Sequence, residues 1–274
     1  MRLTLAGAIR RALFLLALFA LAANATAQGD YQVISVAHGG TIKGMVKWSG
    51  PKPNLPGFPI TKDPQICDPE AHKTRDLERL ILGPQGGVAN TVVFLKSVSR
   101  GKAFDLPPAL RFLNQRLCRY EPHILLVPQR ATLQMASSDA TLHTINMNGA
   151  ATYNLPFPFT DVTISRAMNT SGLVHLKCNG GHVWMNAEMF VVPHPYYAVT
   201  DESGAFQLTD VPAGTYEIVA WHEGWQITVR ANTFDVLSQK RVDRPVFSEP
   251  NIWDKQVSLN EDATVVVNFT ISGK

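Results

Sequence analysis

Residues 173–192 read LVHLKCNGGHVWMNAEMFVV, and this stretch decides the fold. Two strand-like runs, 173–177 and 188–192, flank a loop that holds Cys178, Gly180, Gly181, His182 and Met185 within eight residues. In the first run Val174 and Leu176 alternate with His175 and Lys177, the period-two pattern of a half-buried strand. Upstream, 141–147, 131–135 and 124–127 are three more short strands. The run 90–98 is opened by Gly86-Gly87 and closed by Gly101. Residues 41–48 alternate through Ile42, Gly44, Val46 and Trp48 until Gly50-Pro51-Lys52-Pro53 stops them. Downstream, 197–200, 205–208, 215–221, 227–231 and 263–271 continue the series. Helical spacing is confined to one or two turns in 76–82 and 108–117. Many short strands separated by Gly, Pro and Asx turns specify an all-β chain of sandwiches or barrels.

Composition sets the limits of that reading. The 274 residues leave room for one large domain or two ordinary ones, and 45% hydrophobic content supplies real cores. Only 17% of residues are charged, which excludes disorder over most of the length. The 19 Gly and 18 Pro fit a loop-rich protein and follow no collagen period. Net charge is 25 − 22 = +3, but Arg2, Arg10 and Arg11 all precede residue 28, and without them the balance is 22 − 22 = 0. No basic surface for nucleic acid is left.

Those three arginines belong to an expected export signal over 1–27. Arg10-Arg11 precede an apolar run over 12–23, and Ala25-Thr26-Ala27 is an A-x-A cleavage site before Gln28. A membrane anchor is the competing reading, but the run has 12 residues, and spanning a bilayer takes about 20. The expectation is a periplasmic or otherwise exported protein with no membrane span once the signal is removed.

Outside the cytosol paired thiols oxidise, so three cysteines leave one over. Cys67 follows Lys62-Asp63-Pro64 in a polar loop, and Cys118 sits just before Tyr120-Glu121-Pro122. Cys178 instead ends an alternating run and is followed by Gly180, Gly181, His182 and Met185. The expected disulfide is Cys67–Cys118, with Cys178 free. A copper ion cycling between oxidation states suits one soft thiolate, two imidazoles and a weak axial thioether. Cys178, His182 and Met185 supply three of these, and His143, at the end of 138–143, supplies the second imidazole. The bland alternative, a buried thiol beside a core-filling Met, does not account for the joint spacing. Among the other histidines, His123 reads as structural, His194 as the exit from this part, His222-Glu223 as a turn or interface pair, and His175 as surface or interdomain. Trp184 either covers the metal or packs between domains. No G-x-S-x-G elbow, Walker loop, G-x-G-x-x-G fingerprint or H-E-x-x-H helix is present, and the eight histidines are scattered singly. The expectation is a protein that is not an enzyme.

Residues 116–192 resemble the cupredoxins, the blue-copper fold. The longer stretch 39–223 is similar to bacterial exported cupredoxin-like proteins, some labelled methylamine utilisation proteins. The match runs through Lys62-Asp63, Cys67, Tyr120-x-Pro122-His123, Leu142-His143, Cys178, His182, Trp184-Met185, His194-Pro195-Tyr196 and Trp221-His222-Glu223. The resemblance implies a Greek-key sandwich with one type-1-like copper on His143, Cys178, His182 and Met185. It also implies one-electron transfer with a periplasmic partner such as a c-type cytochrome or dehydrogenase. The alternative is a non-redox binding or assembly protein with a degenerate or Cu(I)-storing site. This chain departs from those relatives by placing three residues between Cys178 and His182, and Val183 where they have Pro. That spacing also occurs in binuclear copper loops, but Val174 stands where a second bridging Cys is needed. Finally, Thr200-Asp201-x-x-Gly204-x-Phe206 and Val211-Pro212-x-Gly214-x-Tyr216 resemble the carboxypeptidase regulatory-like, prealbumin-like sandwich, and Gly44 to Gly50 resembles its opening. The implied organisation is a sandwich over 38–104 plus 194–271, split by a cupredoxin-like part over 105–193.

Overall fold

The computed structural model describes residues 31–105, 111–235 and 239–273; the expected signal over 1–27 lies outside them. The first strands are β1 (Gln32–Val33), β2 (Gly40–Ser49), β3 (Phe58–Pro59), β4 (Thr74–Arg75), β5 (Val92–Leu95) and β6 (Arg100–Gly101). A contiguous block follows: β7 (Phe112–Arg116), β8 (Arg119–Glu121), β9 (Ile124–Pro128), β10 (Thr132–Ser137), β11 (His143–Gly149), β12 (Tyr153–Phe157), β13 (Thr163–Ala167), β14 (Gly172–Lys177) and β15 (Asn186–Val192). The rest are β16 (Tyr197–Val199), β17 (Ala205–Val211), β18 (Gly214–His222), β19 (Ile227–Asp235), β20 (Lys240–Phe247), β21 (Asn251–Leu259), β22 (Thr264–Val266) and β23 (Phe269–Ser272). One helical turn, Pro64–Cys67, is present among the described residues. The fold is all-β. Among the described residues no helix is long and apolar enough to cross a membrane.

Two sandwiches share one stack of four sheets. The first pairs the sheet β13-β10-β7-β8 with the sheet β12-β11-β14-β15-β9. The β10–β7 and β15–β9 pairings are parallel and the others antiparallel, a cupredoxin-like Greek-key layout. Leu113, Leu133 and Met135 from one sheet meet Ile145, Leu176 and Met189 from the other in its core. The second sandwich pairs β16-β5-β18-β21 with a sheet centred on β2, flanked by β17 and by β22 and β23. Ile42, Val46, Phe206 and Phe269 pack there against Val93, Leu95, Ile218 and Val257. Gly44 in β2 has to be glycine, because a Cβ would lie 1.7 Å from the Val267 carbonyl oxygen as the chain passes from β22 to β23.

The two sandwiches meet through β15 and β5, and the alternation of strand side chains shows how. Met189 and Val191 point into the first core, while Phe190 and Val192 point the other way, onto Val92 and Trp221. Val93 and Leu95 likewise face the second core, with Val92 and Phe94 on the joint. β15 is thus buried on both faces, which explains why 189–192 is continuously apolar rather than alternating. Each such aliphatic or Phe side chain contributes about 1.5–3 kcal/mol when fully buried.

Two expectations of helix are corrected. The start of 108–117 falls outside the described residues, and the remainder contains strand β7, with Leu113 and Gln115 buried two apart and Phe112 and Arg116 outside. A buried Gln, its Nε2 donating to the Ala136 carbonyl, hid the period. Residues 76–82 contain no helix: Glu78 has φ +60, outside the right-handed helical region, and Arg79 is drawn inward by buried partners. Strands β12, β13, β20 and β21 were not anticipated.

Candidate metal centre

The site sits at one end of the first sandwich, where β11 and β14 run side by side and β14 turns into β15. His143 opens β11, and Cys178 follows directly after β14. The loop between β14 and β15 closes on itself: the Cys178 N–H donates to the Met185 carbonyl (3.3 Å), and the Met185 N–H donates to the His182 carbonyl (3.0 Å). Its two glycines are required. Gly181 has φ +88, and a Cβ on Gly180 would lie 2.9 Å from the Leu142 carbonyl and 3.2 Å from the Cys178 sulfur.

His143, Cys178 and His182 are brought together, each with 0% of its surface exposed. The two Nδ1 atoms stand 3.1 Å apart, and the Cys178 Sγ is 4.0 Å from Nδ1 of His143 and 3.9 Å from Nδ1 of His182. Metal–ligand bonds of about 2.0 Å to nitrogen and 2.3 Å to sulfur hold ligand atoms at separations of this order. Both outer ring nitrogens are taken by carboxylates. His143 Nε2 pairs with Asp139 (2.9 Å), and His182 Nε2 pairs with Asp63 (3.0 Å). A carboxylate behind an imidazole fixes the tautomer that leaves the other nitrogen's lone pair free for a cation. Backbone N–H groups of Thr144 (3.4 Å) and Gly180 (3.2 Å) donate to the Cys178 sulfur.

Electrostatics agree with the geometry. Burial works to raise the Cys178 thiol, but hydrogen bonds and charge from His143 and His182 bring it well below its usual range. Burial also lowers His143, and the bonds to Asp139 and Cys178 more than reverse this. Asp139 and Asp63 are desolvated, yet their hydrogen-bond donors hold both below the ordinary carboxylate value. The result is a buried cysteine biased toward its thiolate and two oriented imidazoles that face one another, a donor set that fits a borderline-soft cation.

Met185 is brought into the same loop and is buried in the same core as Cys178. The Cys67–Cys118 disulfide is formed, and Cys178 is the free, buried cysteine, both as expected. The other histidines lie elsewhere: His123 and Glu223 pair in a buried ionic cluster, His222 lies beside them, and His175 reaches Glu188 at 2.8 Å. His194 packs between Tyr31, Tyr196 and Tyr197. Trp184 donates to the Cys118 carbonyl (3.2 Å) and sets its ring edge-on to His182 at 5.5 Å. Sequence reasoning gave Asp139 and Asp63 no role. Asp139 lies four residues before His143, but on a loop and strand that spacing does not imply contact, and Asp63 comes from 119 residues away.

Comparison with known proteins reaches parts of the chain. Residues 195–244 match the model of the second beta sandwich domain of the BOS complex subunit NOMO1-like family. No curated protein matches. Among solved structures, a Cu-containing nitrite reductase (NirK) from Thermus scotoductus SA-01 aligns at 14% identity and TM-score 0.28, over 30% of this chain and 22% of that one. A novel purple cupredoxin from Nitrosopumilus maritimus aligns at 17% identity and TM-score 0.26, over 30% of this chain and 98% of that one. A reduced tryptophan-to-tyrosine mutant of amicyanin aligns at 19% identity and TM-score 0.27, over 30% of this chain and 80% of that one. The fold assignment rests on the strand pairing: an all-β chain with a cupredoxin-like sandwich that carries a buried His/Cys cluster.

Proposed function

We propose that His143, Cys178 and His182 hold one copper ion in a type-1-like site, with Met185 as the axial thioether, and that the protein passes single electrons to and from a redox partner. The observation that carries this reading is the convergence of three buried donor atoms whose outer imidazole nitrogens are already held by carboxylates. Two imidazoles and a thiolate with a weak axial Met form the donor set of blue-copper electron-transfer sites. Copper held there would supply a one-electron couple. The chain's own residues keep Cys178 deprotonated, point both Nδ1 atoms inward and exclude water.

In the same reading, 105–193 is the cupredoxin-like part, set between 38–104 and 194–271 of a carboxypeptidase regulatory-like sandwich that serves docking or structure. Export with cleavage before Gln28 fits the Cys67–Cys118 disulfide, since such bonds persist outside the reducing cytosol. The partner would be periplasmic, a c-type cytochrome or a dehydrogenase, and the protein itself would catalyse no reaction. Complete burial of the three donors favours a second reading, in which Cu(I) is stored rather than cycled.

Copper loading followed by a visible spectrum decides between them. One copper per chain with an intense thiolate-to-copper band, bleached by reductant and restored by oxidant, is the expected result. Tight Cu(I) binding with no coloured oxidised form would establish storage. No copper binding at all would defeat both.

A further inference from the structure

We propose that Asp63 is the positioning residue for His182, and that residues 62–67, tied down by the Cys67–Cys118 disulfide, form a cap that closes the donor cluster from solvent. The positioning role rests on the metal reading of His143, Cys178 and His182; the cap does not.

His182 is wholly buried, although its Nε2 points away from the meeting place of the donor atoms. Asp63 lies behind it, and the Asp63 side chain is itself 26% exposed. One carboxylate therefore stands between the imidazole and solvent. The segment that carries it is fastened at three places. Lys62 Nζ donates to the Gly180 carbonyl inside the ligand loop. The Asp63 carboxylate accepts from Thr141 Oγ1 at 2.7 Å, two residues before His143, and from His182 Nε2 at 3.0 Å. The helical turn Pro64–Cys67, whose Ile66 and Cys67 N–H groups both donate to the Asp63 carbonyl at 2.9 Å, ends in the disulfide.

The position of the disulfide extends this to the second imidazole. Its sulfur atoms lie within 4.8 Å of a His182 nitrogen. The Cys118 N–H donates to Asp139 at 2.8 Å, and Asp139 holds His143. One covalent bond thus links the segment that carries Asp63 to the backbone N–H that holds Asp139. Loss of Asp63 releases the His182 ring, which stands 3.9 Å from the Cys178 sulfur, and so opens a way to Cys178, while the Asp139 arm stays in place.

The test begins without metal. Alkylation of Cys178 by iodoacetamide is measured in the folded, metal-free wild type and in Asp63→Ala, Asp63→Asn and Thr141→Val; copper affinity and melting temperature are measured on the same proteins. In Asp63→Ala, alkylation should rise about tenfold or more and copper affinity should fall roughly 10- to 100-fold. Asparagine keeps an acceptor for His182 and Thr141, so Asp63→Asn should recover most of both losses. Thr141→Val should move alkylation in the same direction by less, and it carries the test if Asp63→Ala does not fold. Wild-type alkylation rates in both Asp63→Ala and Thr141→Val would overturn the proposal, as would equal losses in the alanine and asparagine variants. Because alkylation needs no metal, a wild type that is slow to alkylate yet takes up no copper would sink the copper reading and leave the cap standing.

Discussion

Among the described residues, two buried clusters of histidine and acid are built in opposite ways. At the joint between the sandwiches, Glu223 meets Arg79 at 2.7 Å through one oxygen and His123 through the other, and Glu188 meets His175 at 2.8 Å. Each acid there faces a cation or imidazole, and burial, which works against the Glu223 charge, is outweighed by His123 and Arg79, so its carboxyl stays below the usual value. At the end of the first sandwich the acids stand behind the rings, and three electron-pair donors face one another instead. Burying charge is costly unless it is paired or bound to a metal. The first cluster sets its acids against Arg79 and imidazoles and links the two sandwiches through them. The second turns three donor atoms toward one point, the arrangement on which the proposed copper site rests.

Removing the thiolate tests that contrast most severely. Cys178→Ser should abolish the copper band and cost more than the roughly 10- to 100-fold in affinity typical of an orienting residue. Metal-free stability should fall only modestly, because the serine oxygen can still accept from the Thr144 and Gly180 N–H groups that meet the sulfur. Wild-type colour in this variant would put the metal elsewhere.

Glu223→Ala should do the reverse. It leaves Arg79 buried without its main counter-charge, which typically costs about 3–5 kcal/mol, while the copper-to-protein ratio stays at the wild-type value. Denaturant titration with parallel copper analysis separates the two effects. If Glu223→Ala loses copper while keeping its stability, the division of labour between the clusters is wrong.

The same contrast explains what the sequence disclosed. The loop over 178–185 was legible because Cys178 and His182 lie within one turn between two strands, where residue types and spacing can be read together. The joint was legible only in pieces: His123 read as structural and His222-Glu223 as a turn or interface pair, but nothing in three separate stretches tied them to Arg79. Asp63 escaped for the same reason. Strand β7 was masked by its buried Gln115, and β21 by a pattern in which only Val257 and Leu259 turn inward.

A third histidine environment gives a smaller, pH-dependent effect. His194 is buried among tyrosines with no acid beside it, and desolvation pushes its pKa down to about 4 from 6.5, against a weaker opposing hydrogen bond to the Leu95 backbone. It folds neutral and charges more readily when unfolded. Stability from this residue is therefore intact above pH 6.5 and is lost as pH falls toward about 4, by up to about 3 kcal/mol, and the loss levels off below that. Subtracting the His194→Gln stability profile from the wild-type profile isolates it. Parallel profiles would mean that His194 finds a partner or water in solution.

The smallest expected effect belongs to Met185, and it tests how far the second cluster extends. Leucine and methionine are similar in volume, so Met185→Leu should cost less than about 1.5 kcal/mol of stability in the core it shares with Leu176 and Val183. Copper should remain, because the thiolate and two imidazoles are held by Asp139, Asp63 and the Thr144 and Gly180 N–H groups, none of which depends on the thioether. What should move is the reduction potential. A thioether lends electron density chiefly to the more highly charged oxidised ion, so its loss destabilises that state and raises the potential. The backbone already fixes this residue through its bonds to Cys178 and His182. The substitution therefore changes the axial atom and little else. Unchanged potential and spectrum in Met185→Leu would make Met185 a packing residue and leave a site of three protein ligands.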